Sequence, residues 1–551
     1  MTAPSKTVKP AKNVKAAKTV KPAEAGQVGG ETVKAGQAVS AVQAGQTGQA
    51  VRTAPSGDRG RLAKRRLVVV GGGIAGLTAA REAARAGLRV TLLEAEAQTG
   101  GKLALGGVAG VPVDLGAESI LARRPEGTAL AAEVGLGEDV VHPATTAAGI
   151  FSRGELHPLP GGQLMGVPGD LRALAASGIL TTAALARVRA DRLLPRTPVE
   201  GDVAIGEYVG RRLGRDVVDR LVEPLLGGVY AGHADKLSLA ATVPQLVPLA
   251  AAGTSLSNGV RDLLARSAQN GAGGPVFAGI RGGVGRLPIA VAKDAERHGA
   301  ELRTGVGVRG LLRAEQGWRL ELTDGTVLDA DVVVLAVPAY VAARLLAGHT
   351  PVATERLGEI EYASMAIVTF AFPRGSVGPE GLPGSGFLVP PVDGRAIKAA
   401  TFSSAKWPWL AHSAGNLVIL RASIGRHGEE KDLDRDDADL AKAALADLGD
   451  ATGLSGTPVD TYVQRWHDSL PQYAVGHLDR VAAARAGLPE GVAVAGAAYD
   501  GVGIPACIAS ARKAVAELIA GLVGEPGPGP EMKQQQQEQQ KQSTEEGSDQ
   551  S

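Results

Sequence analysis

One short segment limits the fold of this chain more than any other: an apolar strand that runs into a glycine turn and then into a helix. Leu67 to Val70 is apolar, and GGGIAGLTAAREAARAG follows at once. Gly71, Gly73 and Gly76 form the pattern G-x-G-x-x-G. The first glycine permits the tight turn, the second lets a pyrophosphate approach the backbone, and the third lets helix and strand pack closely. The segment predicts a dinucleotide-binding domain built on a parallel sheet.

A second strand, Arg89 to Leu93, ends in the acidic residue Glu94. A carboxylate at this place binds ribose hydroxyls and repels a 2′-phosphate, which disfavours NADP. The phosphates would lie at the helix N-terminus, where free N–H groups and the helix dipole favour negative charge. The predicted dinucleotide contacts are Gly71, Gly72, Gly73, Ile74, Ala75, Gly76, Glu94 and Ala95.

Composition excludes several classes of protein. The 58 basic residues among 551 are balanced by 57 acidic ones, and there are only six Phe, seven Tyr and four Trp, so no nucleic-acid partner is predicted. The single cysteine, Cys507, excludes an intramolecular disulfide and a Cys-rich metal site. No metal is predicted, and the cytoplasm is the expected compartment. No run of about 18 apolar residues predicts a membrane span, although peripheral membrane contact stays open.

The residues after Glu94 carry a resemblance to a known family. The chain reads AEAQTGGKLALGG and then VDLGAES, which is similar to the large flavin family of amine oxidases, carotenoid desaturases and porphyrinogen oxidases. The resemblance implies FAD, and no residue suggests a covalent tether. It also implies that a second glycine pair with a lysine follows the phosphates and that a further segment meets the flavin ring. These further cofactor contacts are Gly101, Lys102, Gly116, Ala117, Glu118 and Ser119.

Later segments resemble one branch of that family, the oxygen-dependent porphyrinogen oxidases of haem synthesis. They read LHPLPGGQLMGVPGDL, RLVEPLLGGVYAGHADKLSL, RWHDSLPQYAVGH and AGAAYDGVGIPACI, and they spread the resemblance over residues 66–522. The resemblance implies a tetrapyrrole substrate that loses six electrons, with molecular oxygen as acceptor and hydrogen peroxide as by-product. It places further flavin contacts at Val308, Trp466, Val502, Gly503 and Ile504.

The same resemblance and the strand pattern divide the chain into domains. We expect an α/β fold with a Rossmann-like FAD domain that is discontinuous in sequence, from residues 66–122, 275–345 and 485–524. Residues 123–240 are predicted to form a mainly helical subdomain. Alternating segments such as MAIVTFAF and LVILRASI predict a mixed-sheet substrate domain from residues 241–274 and 346–484. Low-complexity residues 1–65 and 525–551 are predicted to be disordered tails.

The pattern LHPLPGG, a basic pair and the Ala- and Gly-rich composition resemble the members from high-GC Gram-positive bacteria. That resemblance implies coproporphyrinogen III, with four propionates, rather than protoporphyrinogen IX, with two. Arg123, Arg124 and Arg395 are candidates to bind these carboxylates, and a solvated surface cation is the alternative for each. Where animal and plant members have a basic residue before Leu-His-x-Leu-Pro, this chain has Ala147 to Gly149.

No catalytic acid or base is predicted, because the flavin carries the chemistry. His233 fits a surface or capping role better than a catalytic one, and Cys507 fits a small buried side chain. The alternatives are a protoporphyrinogen IX oxidase, a flavin amine oxidase and a non-catalytic flavin- and porphyrin-binding protein. Contact with later enzymes of the haem pathway stays open.

Overall fold

The glycine turn lies at the end of the central strand of a five-stranded parallel sheet. The structure, a computed structural model, describes residues 60–269, 274–378 and 381–524. The sheet order is Glu301–Arg303, Arg89–Leu93, Arg66–Val70, Val332–Leu335 and Val492–Val494. Three separate stretches of the chain therefore build one sheet.

Both faces of this sheet are buried, and alternate residues of the first strand belong to different cores. Leu67 and Val69 pack against helices on one face, whereas Val68 and Val70 pack on the other face. The helices of the first face are Ile74–Ala86, Pro125–Glu133, Arg286–Arg297 and Ile504–Val523. The second face packs against an antiparallel sheet, Val308–Arg313, Trp318–Leu322 and Val327–Ala330, and the helices Ala339–Leu346, Pro351–Gly358 and His477–Ala486.

A seven-stranded mixed sheet forms the second large element. Its order is Asp460–Pro471, Tyr362–Pro373, Leu417–Ile424, Ile397–Thr401, Gly386–Leu388, Gly149–Ser152 and Glu155–Pro158, and only the pairing of Gly386–Leu388 with Gly149–Ser152 is parallel. Leu420 and Ala422 face the core beneath helix Asp437–Thr452, whereas Ile419 and Arg421 face the opposite way. This sheet therefore has one apolar side and one side that can carry polar groups.

A mainly helical region lies between residues 171 and 269 and has an apolar core of its own. Its helices are Leu171–Ala176, Thr182–Arg189, Ile205–Leu213, Arg215–Val217, the π-helical Val218–Val222, Glu223–Tyr230, Leu239–Thr242, Val247–Ala252 and Leu256–Gln269. Short elements complete the fold: the strands Leu105–Val108, Val111–Asp114, Ile120–Leu121, Val140–Val141, Gln163–Leu164, Val167–Pro168 and Phe277–Ile280 and the helices Ser403–Lys406 and Pro408–Ala414.

The predicted fold class is confirmed: a parallel dinucleotide-binding sheet, a mixed sheet and a helical region are all present. The exact domain boundaries stay a prediction. Of the predicted tails, residues 1–59 and 525–551 lie outside the described residues. Leu62 falls within the predicted N-terminal tail but is described, and its side chain is fully buried in the core of the parallel sheet. Within the described ranges, no helix has both the length and the apolar character that crossing a membrane requires.

Candidate functional site

The glycines of the first turn have different packing requirements. Gly71 has φ +104°, and a Cβ on it would lie 2.5 Å from the Ala336 carbonyl oxygen. A Cβ on Gly76 would lie 1.8 Å from the Gly71 oxygen, so helix and strand touch here. A Cβ on Gly73 would meet nothing within 4 Å, and Gly73 caps the helix without a side-chain hydrogen bond. The helix Ile74–Ala86 therefore starts with uncapped amides beside open space, which fits a phosphate group.

Glu94 lies directly beside this turn. Its Oε2 accepts a hydrogen bond from the Gly72 amide at 2.6 Å, and its Oε1 accepts one from the Glu96 amide at 2.9 Å. Each carboxylate oxygen can accept a further bond, as ribose hydroxyls require. The Val306 amide donates to the Glu94 carbonyl at 2.9 Å, which brings the start of strand Val308–Arg313 to the same edge. Val308 itself is buried, whereas Ala95 is exposed.

The second glycine pair lies against the first turn. The Gly100 amide donates to the Gly72 carbonyl at 2.8 Å, and a Cβ on Gly101 would lie 3.3 Å from the Gly73 Cα. A Cβ on Gly116 would lie 1.9 Å from the Lys102 oxygen and 3.4 Å from the Trp466 ring. The Trp466 indole N–H also donates to the Leu115 carbonyl at 3.1 Å. One continuous path therefore leads away from the turn along Gly101, Lys102, Gly116, Ala117 and Trp466.

The C-terminal helix Ile504–Val523 begins near the same path. Gly503 caps it without a side-chain hydrogen bond, Val502 is partly buried against the helical region, and Ile504 is buried. Upstream, a Cβ on Gly496 would lie 3.8 Å from the Ala75 Cβ, so the loop before this helix touches the start of the first helix. The sequence-predicted cofactor residues from distant parts of the chain are therefore neighbours.

Lys102 and Cys507 interact electrostatically in this region. Lys102 still reaches solvent, but the protein atoms around its ammonium group reduce the hydration of the charge and so lower its pKa. Burial raises the pKa of the Cys507 thiol to about 11, although the nearby Lys102 charge opposes this rise. At neutral pH the single cysteine is therefore a neutral, buried thiol.

A polar cluster around Glu118 is the part of the site that the sequence did not reveal. Glu118 accepts hydrogen bonds from Lys406 Nζ at 2.8 Å and from Arg421 Nη1 at 2.9 Å. Ser403 Oγ donates to it at 2.9 Å and Trp407 Nε1 at 3.2 Å. The signal that could have revealed the cluster is Arg421 itself, a charged residue inside the apolar strand LVILRASI.

This cluster fixes the segment from residue 116 to residue 119. Arg421 also donates to the Gly116 carbonyl, and Lys406 also donates to Ser119 Oγ at 2.8 Å. Burial alone would raise the pKa of Glu118, but the two cations outweigh burial and hold its pKa well below its usual range. Asp114, in contrast, accepts backbone N–H bonds from Val284 and Gly285, and burial raises its pKa to about 6.

The three predicted substrate-binding arginines have different surroundings. Arg123 is partly buried, its Nε lacks a hydrogen-bond partner within the described residues, and loss of hydration lowers its pKa. Arg124 donates to Glu126 at 2.6 Å. Arg395 donates to Asp447 at 3.2 Å and to Asp450 at 2.5 Å, so two carboxylates already meet its charge. The charge of Arg395 is therefore balanced within the protein, unlike that of Arg123.

His233 is partly buried, and both of its ring nitrogens have hydrogen-bond partners within the protein. Its Nε2 lies 2.9 Å from the His427 carbonyl oxygen, which can only accept, and its Nδ1 lies 2.8 Å from Glu223. Two donating ring nitrogens make an imidazolium, and the hydrogen bond to Glu223 raises the pKa of His233.

The hydrogen bond between His233 and Glu223 predicts that the stability of the protein depends on pH. Because the folded pKa of His233 is raised above the usual 6.5, the stabilisation is complete below that pH and is lost as the pH rises through the folded value. We expect His233→Gln to lower the free energy of unfolding by about 1 kcal/mol below pH 6.5 and by less at higher pH. Thermal unfolding of both proteins across this range measures the difference. The control His412→Gln, at an exposed histidine, should leave the profile unchanged, and an equal loss at every pH would contradict the assignment.

Comparison with known proteins identifies the family. A family model described as flavin containing amine oxidoreductase matches residues 74–519. The chain belongs to this flavin oxidoreductase family. Coproporphyrinogen III oxidase from Mycobacterium tuberculosis (strain ATCC 25618 / H37Rv) is 39% identical over 459 residues, which cover 82% of this chain and 97% of the relative. Coproporphyrinogen III oxidase from Bacillus subtilis (strain 168) is 34% identical over 470 residues, 83% of this chain and 98% of the relative.

A solved structure supports the same family. A candidate protoporphyrinogen oxidase from Exiguobacterium sp. 255-15 shares 34% identity and a TM-score of 0.73, with coverage of 83% of this chain and 99% of the other. The predicted resemblance to porphyrinogen oxidases is confirmed, and the family carries a flavin. The uncapped start of helix Ile74–Ala86 fits the phosphates of a flavin dinucleotide, and Glu94 fits its ribose. The roles of the individual site residues stay predictions.

Proposed function

We propose that this protein is an FAD-dependent oxidase that converts coproporphyrinogen III to coproporphyrin III with molecular oxygen as acceptor. The observation that carries the proposal is the similarity, along nearly their whole length, to relatives named coproporphyrinogen III oxidase. One alternative is protoporphyrinogen IX oxidation, which the name of the Exiguobacterium protein supports.

The geometry supports noncovalent FAD. The helix start at Gly73 suits the pyrophosphate, and Glu94 suits the adenosine ribose. The segment from Gly116 to Ser119 would meet the ring, held in place by Arg421 and Lys406. Cys507 is buried as a neutral thiol, which argues against a thioether link through the single cysteine.

The electron balance of the proposed reaction is simple. When bound, the flavin accepts two electrons at a time from the macrocycle and delivers them to oxygen. The porphyrinogen loses six electrons and six protons in three rounds, and three molecules of oxygen become three of hydrogen peroxide. The protein's part is to bind the cofactor, hold the macrocycle beside it and pair the propionates with cations.

A spectroscopic experiment tests the proposal against its alternatives. Purified protein is mixed anaerobically with coproporphyrinogen III and then exposed to air. We expect the flavin absorbance to bleach, then to return with oxygen as coproporphyrin fluorescence appears. A non-catalytic binding protein would not bleach, and an amine oxidase would bleach with amines but not with the porphyrinogen.

Arg123 provides a prediction about substrate binding. Its Nε is buried without a partner in the described structure, so a propionate could supply the missing acceptor. We expect Arg123→Ala to raise the KM for coproporphyrinogen III by about tenfold, which corresponds to about 1.4 kcal/mol, and to raise that for protoporphyrinogen IX less. Arg124→Ala should add a smaller effect, since Glu126 already pairs with Arg124.

Steady-state kinetics with both substrates measures these changes. Arg395→Ala is the matched control, because the charge of Arg395 is already met by Asp447 and Asp450. If Arg123→Ala raised the KM for both substrates equally, Arg123 would not belong to the substrate site. The same conclusion would follow if Arg395→Ala raised the two KM values as unequally as Arg123→Ala does.

A further inference from the structure

Two buried aromatic side chains, Tyr473 and His477, lie beside the loop that precedes the C-terminal helix. Both belong to the segment RWHDSLPQYAVGH, and the proposed oxidase reaction assigns no task to either of them. Their rings stack at a centroid distance of 3.9 Å with 17° between the ring planes. Tyr473 is 2% exposed and His477 is 0% exposed. Because burial of a polar ring costs free energy, the two side chains need a physical reason to be here.

The hydroxyl of Tyr473 binds the backbone of this loop, residues 496–503. Its Oη donates a hydrogen bond to the Ala497 carbonyl at 2.6 Å. Burial raises the pKa of Tyr473 well above its usual range, and a backbone hydrogen bond from Gly501 opposes this rise. One hydroxyl group therefore contacts the loop at two places.

The shape of the loop depends on such contacts because glycines set it. Gly496 has φ +125° and Gly501 has φ +128°. Glycine also adopts many other backbone conformations at little cost, so outside contacts are needed to keep these two angles. The predicted flavin contacts at residues 502–504 follow directly after Gly501, and helix Ile504–Val523 begins there. The position of the helix start therefore depends on how firmly the loop is held.

The helical region in turn holds the backbone of Tyr473. The Ser238 amide donates to the Tyr473 carbonyl at 2.7 Å, and Asp202 accepts a hydrogen bond from the Gly476 amide at 2.8 Å. The Tyr230 ring lies 5.4 Å from the Tyr473 ring. The Tyr473 hydroxyl therefore reaches the loop from a fixed base.

His477 supports the tyrosine as an uncharged ring. Neither of its ring nitrogens forms a well-aligned hydrogen bond within the described part of the chain. Burial and the nearby Arg480 charge lower the pKa of His477 to about 4. At neutral pH the imidazole is therefore neutral, and its contact with Tyr473 is a stack of two rings.

We propose that Tyr473 is a positioning residue for the flavin, because its hydroxyl holds the loop 496–503 so that the start of helix Ile504–Val523 faces the ring. The inference rests on the proposed FAD site but not on the identity of the substrate. Reduction adds negative charge to the flavin ring, and the free N–H groups and dipole of a helix start stabilise such charge. Gly503 precedes this helix without a side-chain cap, so the first amides are free to act in this way. A firmly held helix start therefore raises the reduction potential of the bound flavin.

The reduction potential of the bound flavin tests this role. Tyr473→Phe removes only the hydroxyl and keeps the ring contacts. We expect this variant to lose about tenfold in affinity for reduced FAD relative to oxidised FAD, which corresponds to a potential about 30 mV more negative. Anaerobic redox titration of the FAD-loaded protein against a reference dye, followed by the visible spectrum, measures the shift without any porphyrinogen.

Two other tyrosines provide matched controls. Tyr208 and Tyr499 are buried, and their hydroxyls have no hydrogen-bond partner among the described residues. Tyr499 also lies within the loop itself. Tyr208→Phe and Tyr499→Phe remove the same atom as Tyr473→Phe but no hydrogen bond, so both should keep the wild-type potential.

His477 provides a second test of the same role. His477→Phe keeps a ring against Tyr473 and should keep the potential, whereas His477→Ala opens space beside the phenol and should lower it. His477→Ala would lower the thermal unfolding temperature in any case, because it leaves a cavity, so the potential is the deciding measurement.

The possible failures of this inference and of the proposed function differ. FAD bound with the same potential in Tyr473→Phe and in the wild type, or an equal shift in the two tyrosine controls, would overturn the positioning role alone. If Tyr473→Phe does not fold, equal potentials in His477→Ala and His477→Phe would overturn it. A wild-type protein that binds no FAD would overturn the proposed function together with this inference.

Discussion

Replacing Glu94 with arginine is expected to lower the affinity for FAD by on the order of 100-fold. The substitution removes the acceptor of the Gly72 and Glu96 amides and also the proposed acceptor of the ribose hydroxyls. Hydrogen bonds to a charged group contribute about 1.5 to 3 kcal/mol, and each 1.4 kcal/mol is a factor of about ten. Titration of the flavin-free protein with FAD, followed by fluorescence quenching, measures the loss.

Two further variants make this result specific. Glu94→Gln keeps one acceptor oxygen and should lose less affinity. Glu96→Arg places the same new charge two residues away, on an exposed side chain, and should bind FAD nearly as the wild type does. Unchanged FAD affinity in Glu94→Arg, or release of NAD from the purified protein, would show that the cofactor assignment is wrong.

Replacing Glu118 with leucine is expected to lower the free energy of unfolding by about 3 to 5 kcal/mol, as when one partner of a buried ion pair is removed. The substitution leaves Lys406 and Arg421 without their carboxylate, and Arg421 is only 8% exposed. The flavin absorbance spectrum should also shift, because the Gly116 segment loses its support. Urea unfolding of the flavin-loaded protein and its visible spectrum measure the two effects.

A surface ion pair serves as the control for this substitution. Glu301 is paired with Arg303 at 2.8 Å, and both side chains are more than a third exposed. Glu301→Leu should therefore change stability by less than about 1 kcal/mol. A similarly small change in Glu118→Leu would contradict the structural role of the cluster.

The dinucleotide half of the site was predictable because its residues are local in sequence. The turn from Gly71 to Gly76 has a geometry that requires glycine at its close contacts. The position of Glu94 follows from the lengths of the one helix and the one strand that separate it from this turn. The C-terminal helix Ile504–Val523 begins directly after Gly503, one of the predicted flavin contacts. Its first turn lies next to the loop that contacts the first helix.

The Glu118 cluster was not predictable in the same way. Lys406 and Arg421 are 288 and 303 residues away from Glu118 in the sequence. Their meeting depends on the pairing order of the seven-stranded sheet, which no local pattern specifies. Arg395 is a second example. It forms ion pairs with Asp447 and Asp450 on helix Asp437–Thr452, and the residues next to Arg395 in the sequence could not reveal these partners.

The substrate preference tests the central proposal most directly. Porphyrin fluorescence under air, measured at several concentrations of each porphyrinogen, gives kcat/KM for coproporphyrinogen III and for protoporphyrinogen IX. We expect a higher kcat/KM for coproporphyrinogen III, because four propionates can use more cationic contacts than two, while the oxidised bridge carbons are the same. A clear preference for protoporphyrinogen IX would contradict the proposed substrate, and the absence of porphyrin formation from either compound would contradict the oxidase itself.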